Sequence, residues 1–348
     1  MLNIGLVGYG FMGHMHLENY VRMMREGMPI QVAAICDVRI DELKHEKVEG
    51  NISTETDTSP IDLSAFRLYK DLEDMLQNEK LDVIDITLPT DLHADIACDL
   101  LQWGYHVFCE KPMAINSDEA ARMAETARTS RGKLMIGQCL RFWPAYVYLK
   151  ETVDSGRFGQ VTGGYFFRGS EAPKGWLLQA KRSGGALLDM HIHDSDVIQW
   201  IFGMPEQVST IARSCIPGSG YDIASTHYHY EDGKVLNAQV DWTLEGDFGF
   251  SMTYRVNFEK GNLVFENGKV KVHPSDAPGF VAELSDEMGY YPQLRYFLER
   301  VMSGEPIRRT TPESALLSVR LVEAEMLSAS RNGEKVALSN VPVRSASI

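Results

Sequence analysis

Short apolar runs alternate with amphipathic stretches along the first 140 residues of the chain. The strand-like runs are Asn3–Val7, Gln31–Cys36, Phe66–Tyr69, Val83–Leu88, Tyr105–Cys109 and Lys133–Gly137. Apolar residues recur at helical spacing in His14–Arg25, Leu72–Gln77, Ala94–Trp103 and Asp118–Thr129. Alternating strands and helices are typical of a parallel sheet with helices on both faces. The polar segment Val48–Asp62 interrupts this pattern, and we expect a surface excursion there.

After about residue 150 the pattern changes to successive strands with little helix between them. The runs are Val161–Arg168, Val208–Ala212, Thr226–Tyr230, Lys234–Asp241, Gly249–Val256 and Leu263–Phe265. Asp232-Gly233 and Asn267-Gly268 are typical hairpin turns, and helices return at Gln293–Met302 and Pro312–Ser330. The pattern predicts a doubly wound α/β Rossmann domain over residues 1–140. Residues 141–348 are predicted to form an α+β domain with an open, mostly antiparallel sheet.

The amino-acid composition limits which binding partners and which cellular location are expected. The formal net charge of -14 disfavours nucleic acid and anionic membrane surfaces. The five cysteines show no CxxC spacing, which favours reduced thiols over disulfides or a zinc site. The sequence has neither a membrane-length apolar run nor a leader-like start, so we expect a cytoplasmic protein.

A GxGxxG motif follows the first strand and precedes the first helix. It is formed by Gly8, Tyr9, Gly10, Phe11, Met12 and Gly13. Such a loop lets the backbone approach a pyrophosphate at a helix N-terminus, although the motif alone is a weak signal. Asp37 strengthens it, because an acid at the end of the second strand hydrogen-bonds the ribose hydroxyls. The same carboxylate repels a 2′-phosphate, so NAD is favoured over NADP. The neighbours Val38 and Arg39 belong to this site, and Arg39 could soften the preference.

Further cofactor residues are expected where other strands end, because ligands of doubly wound folds bind at the carboxyl edge of the sheet. They are Thr87, Leu88, Pro89, Thr90, His93, Glu110, Lys111 and Gln138. We expect His93 to pack or hydrogen-bond beneath the cofactor rather than to act as a catalyst. From the residues alone, Lys111 is either a solvated surface charge or an ammonium directed at the nicotinamide.

Asp189 precedes His193 by four residues on a predicted helix that opens with Gly184-Gly185. At helical spacing their Cβ atoms would lie about 5–6 Å apart, so the carboxylate could orient the imidazole as a proton acceptor near neutral pH. His191, His193, Asp194 and Asp196 suggest a metal site as an alternative. On a helix, however, His191 points about 160° away from His193, and we therefore predict no metal. Asp196 is expected to support His193.

Taken together, these motifs resemble the Gfo/Idh/MocA family, which is named after glucose–fructose oxidoreductase, inositol dehydrogenase and a rhizopine-catabolism protein. The resemblance rests on GxGxxG, Glu110-Lys111-Pro112, and Gly184-Gly185 followed by Asp189 and His193. Arg141-Phe142, the Trp176 segment and the closing helix Ala315–Ser330 also match, so the resemblance extends to about Leu338.

The resemblance implies an oxidoreductase that acts on a secondary alcohol of a sugar, sugar acid or cyclitol, and a homodimer or homotetramer formed through the C-terminal sheet. Lys111, Asp189 and His193 would be catalytic and would also bind substrate. By chain position we expect Arg168 and Trp176 as further substrate contacts, although Trp176 could instead pack on the sheet. Whether Lys111 or His193 takes the proton stays open. Two alternatives are an NADP(H)-dependent reductase of a keto-sugar or other carbonyl, and a sugar-sensing regulator that binds dinucleotide without turnover.

Overall fold

A computed structural model describes residues 1–43 and 61–340 of the chain. Most of the predicted surface excursion Val48–Asp62 lies outside the described residues. Within the described ranges, every helix is too short or too polar to span a lipid bilayer.

The first sheet has six parallel strands in the order β3-β2-β1-β4-β5-β6. Its strands are β1 Leu2–Val7, β2 Ile30–Cys36, β3 Arg67–Tyr69, β4 Val83–Ile86, β5 His106–Glu110 and β6 Leu134–Gly137. The helices that accompany them are α1 Phe11–Arg25, α2 Ile40–Leu43, α3 Leu72–Asn78, α4 His93–Gln102 and α5 Ser117–Thr129. All four residues of β4 are buried, as expected of a strand covered on both faces. The predicted doubly wound parallel sheet is confirmed.

The second sheet has nine strands in the order β14-β13-β12-β11-β7-β10-β9-β8-β15. They are β7 Val161–Ser170, β8 Gln207–Arg213, β9 Ile223–His229, β10 Val235–Asp241, β11 Phe250–Phe258, β12 Gly261–Glu266, β13 Lys269–Pro274, β14 Phe280–Val281 and β15 Val336–Ala337. Both predicted hairpins are present, and at the second Asn267 and Gly268 have the positive φ values of 50° and 73° that a tight turn requires. β10 pairs with β7 in parallel, so the sheet is mixed but mostly antiparallel.

The remaining helices are α6 Pro144–Asp154, α7 Ala180–Ser183, α8 Ile192–Phe202, α9 Tyr290–Ser303 and α10 Pro312–Ser330. The bounds of α10 are those predicted. Helix α6 is missing from the sequence prediction, because its Val and Thr residues and its polar positions give a weak apolar stripe. Pro144 starts it at a position where a missing N–H costs nothing, and Tyr146 and Leu149 bury its inner face.

The internal contacts of the chain define two compact units. The first comprises Met1–Ala114, Glu119–Gly137 and Tyr290–Glu313; the second comprises Ile115–Asp118, Gln138–Gly289 and Ser314–Ile348. The predicted division at residue 140 placed Tyr290–Glu313 in the second domain. By its contacts this segment belongs to the first unit: for example, Phe297 of α9 packs edge-on against Phe108 of β5, at 5.6 Å between ring centroids.

Candidate active site

The glycine loop makes the close approaches expected of a dinucleotide-binding turn. Gly8 has φ +95°, and a Cβ there would lie 2.7 Å from the Thr87 carbonyl oxygen. A Cβ on Gly13 would lie 2.1 Å from the Gly8 carbonyl oxygen, so a side chain at either position would displace backbone. A Cβ on Gly10, in contrast, would meet no atom within 4 Å. The loop is therefore closely packed at Gly8 and Gly13 and open at Gly10, which leaves room for phosphate groups to approach its backbone.

Helix α1 starts directly from this loop. Its N-cap is Gly10, which has no side chain to satisfy the first amide groups of the helix. Free amides and the positive end of the helix dipole favour an anion at this place. These features fit the pyrophosphate of a dinucleotide.

Asp37 follows β2, and its carboxylate is fixed from two sides. Its Oδ2 accepts the Tyr9 N–H at 2.8 Å, and its Oδ1 accepts the Arg39 N–H at 2.8 Å. Each oxygen keeps further acceptor capacity. The side chain of Val38 is 78% exposed beside it. An oriented carboxylate beside the glycine loop fits the two ribose hydroxyls of NAD.

His93 joins two loops at the same edge of the sheet. Its Nδ1 lies 2.8 Å from the carbonyl oxygen of Pro112, and its Nε2 lies 2.8 Å from the carbonyl oxygen of Leu88. Burial lowers its pKa, partly offset by these two hydrogen bonds. Thr87 adds a link to the glycine loop by donating to the Gly8 carbonyl oxygen at 2.7 Å. His93 thus holds the loop after β4 against the loop that carries Lys111.

Lys111 follows β5, two strands from the glycine loop. It is half-buried, and the Lys111–Pro112 peptide bond is cis. Its backbone N–H donates to Oε2 of the buried Glu110 at 3.1 Å. The other Glu110 oxygen lies 3.1 Å from Nε2 of His16, a buried residue that the sequence prediction did not include.

Asp189 and His193 lie on a helix, as predicted, but it begins differently. Residues Leu187–His191 form a π-helical turn, which continues as α8 from Ile192. A π turn contains more residues than an α turn, and such turns are frequent at functional sites. Both side chains are half-buried, whereas the three residues between them are buried. The exposure pattern therefore places Asp189 and His193 on the same side of the helix.

Two buried ion pairs fix the first turn of α8 on either side of His193. Arg168 binds Asp194 with Nε–Oδ2 at 3.1 Å, and Arg141 binds Asp196 with Nη2–Oδ1 at 2.7 Å. Arg168 is only 3% exposed, so its contacts favour a positioning role over the predicted substrate contact. Asp196 was expected to support His193, and its carboxylate binds Arg141 and Ser318. Losing one partner of such a pair is costly because the other stays buried with its charge.

His191 and Glu325 lie close together in the buried interior of the second unit. His191 is buried, with its Nε2 3.3 Å from the Tyr228 hydroxyl and 3.6 Å from Oε2 of Glu325. Burial lowers the pKa of His191 to about 3 and raises the pKa of Glu325 to about 8. Ser195 and Tyr228 donate to Oε1 of Glu325 at 2.9 and 3.0 Å. His191 is a packed core residue of the second unit.

Two further predicted residues lie in the second unit. Trp176 is half-buried in the short 3₁₀ turn Gly175–Leu178. Gln138 follows β6 and is 1% exposed, and its side-chain amide makes no hydrogen bond to any described residue.

In residues 1–43 and 61–340 no three His, Cys, Asp or Glu side chains are grouped as metal ligands.

The glycine loop, the carboxylate of Asp37 beside it and the parallel sheet are features of an NAD-binding oxidoreductase fold. The chain belongs to the Gfo/Idh/MocA oxidoreductase family. The family's NAD-binding Rossmann model matches residues 2–138, and its C-terminal domain model matches residues 146–264.

Curated relatives are named as inositol dehydrogenases. A myo-inositol 2-dehydrogenase from Thermotoga maritima is 27% identical over 321 residues, which are 88% of this chain and 90% of that protein. An inositol 2-dehydrogenase from Salmonella typhimurium is 30% identical over 204 residues, covering 58% of this chain and 54% of that protein.

Among solved structures, a levoglucosan dehydrogenase in complex with NADH and levoglucosan is similar, with a TM-score of 0.82 and 19% identity. The match covers 97% of this chain and 99% of that one. At this identity the similarity shows the fold alone.

Proposed function

We propose that this protein is an NAD-dependent dehydrogenase that oxidises a secondary alcohol on a sugar, sugar acid or cyclitol. The observation that carries the proposal is the half-buried Lys111 at the carboxyl edge of the sheet that holds the glycine loop and Asp37. The relatives named as inositol dehydrogenases support the polyol class of substrate.

The residues of the first unit fit the cofactor. Gly10 and the start of α1 would hold the pyrophosphate, and Asp37 would accept hydrogen bonds from the ribose hydroxyls and repel a 2′-phosphate. Tyr9, Phe11, Met12, Val38, Arg39 and the Thr87–Thr90 segment would line the same site. When bound, NAD accepts a hydride from the carbinol carbon.

The alcohol proton must leave as the carbon is oxidised. We assign His193 as the base, with Asp189 orienting the ring and stabilising its charged form. The Lys111 ammonium would stabilise the developing alkoxide by charge and hydrogen bonding. Trp176 would pack against an apolar face of the substrate.

The proposal also includes a cellular location and an oligomeric state. The five free cysteines favour a cytoplasmic location, where thiols stay reduced. We further propose a homodimer or homotetramer formed through the second sheet. On this sheet the apolar side chains of Ile211 in β8 and Val235 in β10 are 61% and 66% exposed.

A substrate screen tests the proposal. Purified protein would be incubated with inositols, hexoses and sugar acids, with NAD and NADP side by side, and formation of reduced nicotinamide followed by absorbance. We expect turnover of at least one polyol, faster with NAD. NADH binding without turnover of any of them would contradict the enzyme assignment and favour a sensing role, and faster turnover with NADP would overturn the cofactor preference.

A further inference from the structure

A buried histidine lies between two carboxylates in the first unit, directly beneath the glycine loop. His16 on α1 comes three residues after Gly13 and is 0% exposed. Its Nδ1 lies 2.8 Å from Oδ2 of Asp85 on β4, and its Nε2 lies 3.1 Å from Oε1 of Glu110 at the end of β5. Tyr20, one turn further along α1, donates to the same Asp85 oxygen at 2.8 Å. The ring therefore bridges two neighbouring strands.

The partners of His16 determine its charge. Both ring nitrogens face carboxylate oxygens, which only accept hydrogen bonds, so both nitrogens must carry hydrogen. Burial alone would lower the pKa of His16, but the charges and hydrogen bonds of Asp85 and Glu110 outweigh it and raise the pKa to about 10. The imidazolium donates a charge-assisted hydrogen bond to each of the two side chains.

Glu110 transmits this restraint to the loop that follows it. Its Oε1 faces His16, and its Oε2 accepts the backbone N–H of Lys111. On the neighbouring strand β6, a Cβ on Gly137 would lie 2.6 Å from Oε1 of Glu110. The glycine at position 137 thus leaves the space that the carboxylate occupies. Glu110 is held by packing and by hydrogen bonds on both sides.

We propose that His16 is a positioning residue, which holds the Glu110 carboxylate in the orientation that fixes the backbone of Lys111. The role in catalysis rests on the proposed function of Lys111, whereas the restraint on its backbone does not. His16 is buried from solvent and its Nε2 faces Glu110, so its effect on Lys111 is transmitted through Glu110.

Two conservative substitutions test the two hydrogen bonds of the His16 ring separately. The amide nitrogen of His16→Asn would lie near the position of Nδ1 and retain the bond to Asp85. The longer His16→Gln would place its amide near the position of Nε2 and retain the bond to Glu110. His106→Asn, at the start of β5, is the matched control for loss of a half-buried histidine away from this cluster.

Two readouts are needed, of which one is independent of activity. Hydrogen exchange of the Lys111 amide reports the restraint directly, and kcat with KM for NAD reports its consequence. We expect His16→Asn to speed exchange at Lys111 and to lower kcat, each about tenfold, the effect of losing one hydrogen bond to a charged group. KM for NAD should stay within about twofold. In His16→Gln the exchange rate at Lys111 and kcat should both be close to those of the parent. His106→Asn should change neither the exchange rate nor kcat.

Several results would overturn the inference. If hydrogen exchange of the Lys111 amide is unchanged in His16→Asn, His16 does not restrain the backbone of Lys111. If exchange is faster but kcat is unchanged, the restraint exists but does not matter for catalysis. Equal losses in the Asn and Gln variants would indicate a purely structural histidine. If His16→Asn does not fold, Glu110→Ala removes the same link and must show the same faster exchange. If the parent protein oxidises no polyol, the proposed function fails, and the exchange measurement alone decides whether His16 positions Lys111.

Discussion

At the scale of single residues, the sequence identified the groups that end a strand or open a helix, and it missed their buried partners. Asp37 and Lys111 were found because each directly follows an apolar strand. Asp85 carried a signal that was not used: an acid inside the otherwise apolar strand Val83-Ile84-Asp85-Ile86 needs a buried partner. Its partner His16 lies 69 positions away along the chain. Such a pairing depends on which strands become neighbours, which spacing alone does not show.

Asp37 should set the cofactor preference. Replacing Asp37 by Asn removes the charge and keeps one of the two side-chain oxygens in place, whereas Ser removes the carboxylate and leaves only a shorter hydroxyl group. We expect kcat/KM for NAD to fall about tenfold in Asp37→Asn and further in Asp37→Ser, because hydrogen bonds to a charged group contribute about 1.5–3 kcal/mol. The ratio of NADP to NAD activity should rise in both variants. A ratio equal to that of the parent would show that Asp37 does not contact the ribose.

Glu325 should make stability depend on pH. Burial raises its pKa from 4.5 to about 8, so the carboxyl group stays protonated in the folded protein where the unfolded chain would ionise. Its stabilising effect is complete below about pH 4.5 and is lost as the pH rises through about 8.

Glu325→Gln lacks an ionisable group, so its stability relative to the parent should increase across this interval. The midpoint of urea unfolding, measured at several pH values, checks this. The exposed Glu283→Gln serves as the control and should follow the parent. Parallel pH profiles for Glu325→Gln and the parent would mean that Glu325 is ionised in the folded protein.

At the scale of elements, periodicity predicted the strands and helices that bury one regular face or lie wholly inside. Helix α10 and the six strands of the first sheet are examples. The same signal failed for β14 and β15, because strands of two residues are too short to show a period. It also failed to show that the Asp189 helix opens with a π turn, because the apolar pattern of a single turn does not distinguish i→i+5 from i→i+4 hydrogen bonding.

The glycine loop offers a matched pair of substitutions at this scale. Gly13→Ala forces a methyl group against the Gly8 carbonyl oxygen and should lower both the melting temperature and NADH affinity. Gly10→Ala meets no protein atom within 4 Å, so it should leave the melting temperature nearly unchanged. Its methyl group would nevertheless intrude on the pyrophosphate and weaken NADH binding about tenfold or more. Thermal unfolding and fluorescence titration with NADH measure the two effects. Normal NADH binding by Gly10→Ala would place the cofactor elsewhere.

At the scale of the whole molecule, alternation of apolar runs was sufficient to predict a parallel α/β sheet and a second, mostly antiparallel one. The assignment of Tyr290–Glu313 to the first unit could not be read from the sequence. An amphipathic helix shows that it has a buried face, but not which surface covers that face.

The proposed subunit interface makes a further prediction. Ile211→Glu or Val235→Glu would place a charge on the exposed face of the second sheet, where burial against another subunit would leave it unpaired. Light scattering after gel filtration should show a homodimer or homotetramer for the parent and smaller species for either variant. Met302→Glu, at a residue of the first unit that is 41% exposed, should leave the mass unchanged. A monomeric parent protein would refute the interface.

The central claim is the proposal that Lys111 and His193 are each required when NAD oxidises the alcohol. Single-turnover reduction of bound NAD by a confirmed polyol substrate, compared among the parent, Lys111→Ala and His193→Asn, tests it most directly. We predict that each variant binds NADH with an affinity close to that of the parent and forms reduced nicotinamide at least about a hundredfold more slowly. Parent-like single-turnover rates in both variants would contradict the account.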